Sequence, residues 1–103
     1  MSVPAIAKNR IEKITAMLEL ALSVRYINVS DESHLHAGHE GARSGKGHFH
    51  VTVVAEDFTG QSLVKRHRLI YGALGELMNS DIHALGIDAI APSEPSAQQL
   101  VYR

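Results

Sequence analysis

The sequence predicts an α+β domain whose elements run α-β-β-α-β, with a three-stranded mixed sheet and both helices on one of its faces. Three patterns carry that expectation. Two long segments repeat apolar residues every three or four positions, the spacing of a helix with one buried stripe. Residues 48–55 alternate, with Phe49, Val51 and Val53 on one side and His48, His50 and Thr52 on the other. A strand covered on one face reads this way. The second half then runs strand, helix, strand, an order that closes as a right-handed parallel crossover within one sheet.

The first helix is expected over residues 4–22, with Pro4 in its first turn and Ser2 or Val3 near the cap. Ile11, Ile14, Leu18 and Leu22 make its buried stripe, and Lys8, Glu12, Lys13 and Glu19 its wet face. Tyr26, Ile27 and Val29 favour a strand over residues 24–30. Residues 31–47 hold four glycines and little apolar periodicity, and read as a long functional loop. Phe58-Thr59-Gly60 makes a turn into the main helix, residues 61–78. Its stripe is Leu63, Ile70, Leu74 and Leu77, with His67 inside it, and Asn79 and Ser80 end it. Residues 82–90 form the third strand. Pro92 and Pro95 lead out of the domain, residues 1–92, into a polar tail, residues 93–103.

A chain of 103 residues, 45% hydrophobic and 20% charged, is an ordinary single folded domain. Its apolar runs fall far short of the ~20 residues that a membrane span needs. Charges at Lys8, Arg10, Glu12 and Lys13 interrupt any signal-peptide stretch, so a cytoplasmic setting is expected. A net charge of −1 gives no global nucleic-acid signature.

Two counts say more. The chain has no cysteine, which removes disulfides, thiolate ligands and cysteine nucleophiles of its own. It has seven histidines, and His34, His36, His39, His48 and His50 all fall between residues 34 and 50. Neutral imidazole is a common metal ligand; exposed loop histidines also serve simply as soluble surface. No His-Glu-x-x-His and no pair of histidines at helical i,i+4 spacing occurs. His48 and His50 belong to the exposed sheet face as surface histidines. Lys65-Arg66-His67-Arg68 reads either as part core anchor and part solvated basic face, or as a docking patch for an acidic partner or a phosphate backbone. His83, at the start of a strand, is structural or a ligand. Neither a nucleophile elbow nor a phosphate-cradling glycine loop is present, so no enzyme is expected.

Taken together, Asp31-Glu32-Ser33-x-x-His36, Gly47-His48-Phe49-His50-Val51, Phe58-x-Gly60, Arg66-His67-Arg68-Leu69-Ile70-Tyr71 and Ile82-His83-Ala84-Leu85 resemble the BolA family. The resemblance implies a fold similar to class II KH domains. It also implies a monothiol glutaredoxin as partner, in a heterodimer around a shared [2Fe–2S] cluster to which glutathione contributes. The isolated chain is then a monomer without a cluster. The histidine of the His-Ala-Leu motif, here His83, is implied as one ligand. A second comes from the loop after Asp-Glu-Ser, where His36 stands at the matching position. His34 and His39 share that stretch and leave the loop ligand open, His39 being the first substitute. Some relatives carry a cysteine in that loop, and this chain has none. Bacterial relatives are also described as DNA-binding transcriptional regulators, which here would employ the basic patch at residues 65–68. The Gly-x-x-Gly loop of RNA-binding KH domains does not occur between the main helix and a strand.

The chemistry of the residues agrees with the first role. Iron–sulfur clusters need mostly thiolates, so a chain without cysteine needs a partner's thiols, and two imidazoles would complete a mixed site. Neutral imidazole in place of thiolate raises the reduction potential and adds a pH-sensitive bond.

Overall fold

The computed structural model describes residues 9–33 and 47–101. Helix α1 spans Arg10–Ala21 and is followed by strand β1, Val24–Asp31. Strand β2 is Gly47–Ala55; after a 3-10 turn at Glu56–Phe58 come helices α2, Leu63–Leu74, and α3, Leu77–Ser80. Strand β3, Ile82–Ile90, and helix α4, Pro95–Val101, complete the fold. The sheet order is β1-β2-β3, with β1 antiparallel and β3 parallel to the central β2. This is the mixed α+β architecture the sequence predicts.

Helix α1 starts later than expected. Asn9 is extended (φ −137°, ψ 174°), and its side chain accepts the Glu12 N–H at 2.9 Å. An asparagine that satisfies an orphan donor in this way places the first turn of α1 at Arg10; residues 4–8 of the expected span lie outside the described residues. Ile14, Met17 and Leu18 are buried, whereas Ile11 is 38% exposed and falls outside the stripe.

The main helix also departs from its expected span. Residue 75 adopts φ +52°, a left-handed conformation that glycine accepts readily, and the Gly75 N–H donates to Tyr71 O to close α2. The segment therefore splits into α2 and the short α3. Ile70 and Leu74 are fully buried, but Leu63 is 66% exposed. The buried position one turn before Ile70 belongs to Arg66, and His67 sits half-buried beside the stripe rather than in it.

The core lies between α1, α2 and one face of the sheet. Phe49, Val51 and Val53 point into it from β2 and meet Ile14, Leu18, Phe58, Ile70 and Leu74. Within the polar tail, residues 93–103, lies helix α4, Pro95–Val101. Val54, which points to the opposite face, is fully buried, as is Ala97 of α4, and α4 packs against β1. The C-terminal helix thus covers one end of the second face; at the other end His83 is exposed and His48 half-buried, which makes this the more open end among the described residues.

Leu74→Ala should lower stability by about 2–5 kcal/mol through lost transfer energy plus a cavity. Leu63→Ala, on the exposed side of the same helix, should stay within about 0.5 kcal/mol. Urea denaturation midpoints of the two variants check the assignment; equal shifts would refute it.

Candidate functional site

The register of β2 against β3 builds the site. Gly47 pairs with Ile82, but His48 pairs with Ala84, so His83 is one residue more than the ladder needs. Such a bulge re-aims side chains. Here it leaves His83 exposed on the open face, with its ring centroid 5.0 Å from that of His48 and the two rings tilted by 49°. The backbone around both is fixed. The His48 N–H donates to Ser33 Oγ at 3.0 Å, and its carbonyl accepts the Glu32 N–H at 2.7 Å. The Gly47 N–H donates to Asp81 O at 3.0 Å. A side chain at Gly47 would collide with the ring of Phe49, so this close approach requires glycine.

Two residues before His83, the Asp81 carboxylate lies 3.3 Å from Arg10 Nε and 3.6 Å from Lys13 Nζ. The Ser80 hydroxyl first, and then these cations, hold its carboxyl below the ordinary carboxylate range. The start of α1 is thereby fastened to the start of β3. Farther along the open face, His50 Nε2 lies 2.8 Å from Asp88 Oδ2. A Cβ at Gly86 would run into His50 Nδ1, so glycine leaves room for that ring.

The surface histidines on β2 are therefore not equivalent. His50 is engaged with Asp88, whereas His48 is a direct neighbour of His83. The sequence alone grouped them as matching exposed residues. The missed signal is the bulge, which no local spacing reveals. His34, His36 and His39 lie outside the described residues. Among the described residues, no group of three or more His, Cys, Asp or Glu could hold a metal ion. Among the described residues, that face brings two imidazoles side by side, His48 and His83.

The basic patch separates into two kinds of residue. Lys65 and Arg68 are exposed, beside the exposed apolar Leu63, Val64 and Leu69. Arg66 is not a docking residue. It is 8% exposed, and its Nε donates to Gln61 O at 2.9 Å. Its Nη1 donates to Ala89 O at 3.0 Å and to Glu94 Oε1 at 2.5 Å. Glu94 Oε1 also accepts the Ala91 N–H at 2.6 Å. That backbone donor first, and then Arg66, hold the Glu94 carboxyl below its ordinary range. Burial with three acceptors explains why a cation occupies the inner face of α2.

These features coincide with a known family. The family model for BolA-like proteins matches residues 18–94. The chain belongs to the BolA-like family. The match spans β1 to β3 and ends at Glu94, the partner of Arg66. This BolA-like chain is 42% identical over 87 residues to SufE-like protein 1, chloroplastic/mitochondrial, of Arabidopsis thaliana, covering 80% of this chain and 24% of that one. It is 34% identical over 98 residues to the DNA-binding transcriptional regulator BolA of Haemophilus influenzae, covering 95% of this chain and 85% of the relative. The chain spans about a quarter of SufE-like protein 1 and 56% of the Arabidopsis chloroplastic protein BOLA1. Among solved structures, the BolA domain of SufE1 from Arabidopsis thaliana superposes with a TM-score of 0.73 at 42% identity, over 84% of this chain and 95% of that one. The solution structure of mouse BolA1 gives 0.68 at 34% identity, over 96% and 76% of the two chains. No described helix is long and apolar enough to cross a membrane.

Arg66→Ala should destabilise this BolA-like fold by about 2–3 kcal/mol. That is less than the roughly 3–5 of a fully buried pair, because Glu94 keeps 42% of its side chain in water. Arg68→Ala should stay within about 0.5 kcal/mol, and thermal unfolding of both variants separates anchor from surface. Glu94 also links stability to pH. Its folded pKa is depressed, so its contribution is fully present above its ordinary 4.5 and is lost as pH falls through the folded value. Glu94→Gln should flatten the acid limb of stability measured by urea unfolding; an unchanged limb would sever the link.

Proposed function

We propose that this BolA-like chain is an adaptor that binds a monothiol glutaredoxin and takes a shared [2Fe–2S] cluster as its cargo, for iron–sulfur trafficking or iron sensing. The observation that carries the reading is His83, pushed out of the ladder by a bulge and exposed on an open sheet face of a chain without cysteine. The donor set fits. Such clusters are held mainly by thiolates, and imidazole can replace some of them. Partner and glutathione would supply sulfur, and His83 would supply nitrogen. His36 is the proposed loop donor, with His39 or His34 as its substitute.

The protein's part is to present a fixed donor. Asp81, anchored by Arg10 and Lys13, and Gly47, bonded to Asp81 O, hold the start of β3 in place. His83 therefore needs little reorganisation to meet a cluster carried by another protein. Lys65 and Arg68, with exposed Leu63, Val64 and Leu69, offer a mixed basic and apolar surface on α2 for the partner.

A second reading draws on the names of the relatives in Haemophilus influenzae and Escherichia coli, both called DNA-binding transcriptional regulators. Burial of Arg66 weakens it, since the patch retains Lys65 and Arg68 as exposed arginine and lysine side chains. A contact through two cations would show only a shallow dependence of affinity on salt.

The chain assembled with a monothiol glutaredoxin, iron, sulfide and glutathione should give a visible circular-dichroism spectrum that His83→Ala alters, with a more labile cluster. An unaltered spectrum would remove His83 from the ligand set. Arg68→Glu should weaken association with the glutaredoxin while leaving the melting temperature nearly unchanged, because exposed charges contribute little to folding. Calorimetric titration measures the first and differential scanning the second.

A further inference from the structure

We propose that His48 and His83 together bind one borderline transition-metal ion, Cu²⁺ most tightly, on the isolated chain. The inference shares His83 with the reading above but requires neither glutaredoxin nor cluster.

Distance supports it first. An ion about 2.0–2.1 Å from one nitrogen of each ring lies about 3.2 Å from each ring centroid. An angle of roughly 90–110° at the ion, square-planar to tetrahedral, then puts the centroids about 4.5–5.2 Å apart. The observed separation is 5.0 Å. The tilt of 49° also keeps the rings from stacking face to face, the one arrangement that would turn both sets of nitrogens away from a shared ion.

Rigidity comes next. The His48 backbone is bonded to both Ser33 and Glu32, and the adjoining Gly47 is bonded to Asp81, two residues before His83. Both donors thus sit on paired strands, where a site is held more accurately than on a loop. The bulge itself asks for a reason. It interrupts the ladder and projects an exposed histidine that adds nothing to the core. His50, one pleat away, is drawn to Asp88 and does not join the pair.

Chemistry selects the ion. Two neutral nitrogen donors suit Cu²⁺, Ni²⁺ and Zn²⁺, and the usual order of affinity places Cu²⁺ first. Exposure of His83 leaves room for water, or for another protein's donors, to complete the coordination.

The test uses the full chain with His34, His36 and His39 all replaced by alanine, titrated with Cu²⁺ alone. One ion per chain should bind, with an electron paramagnetic resonance spectrum showing nitrogen coordination. Introducing His48→Gln or His83→Ala into that chain should weaken binding at least about tenfold, as loss of a ligand costs no less than loss of its supporting partner. His50→Ala should leave affinity unchanged. Cu²⁺ affinity that survives His48→Gln would overturn the proposal, as would loss of all binding in the loop variant. Should His48→Gln fail to fold by circular dichroism, nuclear magnetic resonance of the unmodified chain decides. Substoichiometric Cu²⁺ should broaden the ring signals of His48 and His83 together before those of His50 and His67; broadening of only one of the pair, or of neither, overturns the site. These measurements contain no glutaredoxin, so their outcome is separate from that of the adaptor reading.

Discussion

A buried guanidinium stands where three parts of the chain meet. Arg66 reaches back to Gln61 at the mouth of α2, across to Ala89 near the end of β3, and onward to Glu94 ahead of α4. The crossover helix has to be locked to the strand it delivers, and a planar, always-charged donor set serves three acceptors where an apolar side chain would leave them bare. With that clamp in place, Ile70 and Leu74 lie over the sheet, and the strand keeps the alignment that lifts His83 out of the ladder. Folding and presentation of the open face therefore draw on the same residue.

Much of the architecture is legible in the sequence because it follows from local periodicity. The alternation from Phe49 to Val53 and the stripe formed by Ile70 and Leu74 each specify an element and its buried side. What escaped that reading depends on partners far away in sequence. Arg66 reads as part of a basic face because its acceptors lie at residues 89 and 94. Helix α4 reads as tail because its burial rests on Ala97 meeting a surface made by distant strands. Local chemistry adds a signal of its own: the Asn9 side chain accepts the Glu12 N–H and caps α1.

The same division holds for the site. His83 stands out in sequence through its motif, and its exposure on the sheet agrees with a role at the surface. Its proximity to His48 depends on a register shift, and strand register is a property of the sheet and not of either segment. Two histidines separated widely along the chain became neighbours, while His48 and His50, nearly adjacent in sequence, acquired different surroundings.

The parallel pairing of β2 with β3 has a kinetic side. Residues joined there, such as Val54 and Ile90, stand roughly three dozen positions apart, with α2 and α3 between them. The helices need only local contacts and can form within microseconds. The ladder rewards the chain only after a long loop has closed and lost its entropy. Sheet closure is thus the slow event, and this domain should fold more slowly than a helical bundle of equal length. The open face with His48 and His83 side by side exists only once that last closure is made, so an incompletely folded chain presents the two imidazoles apart.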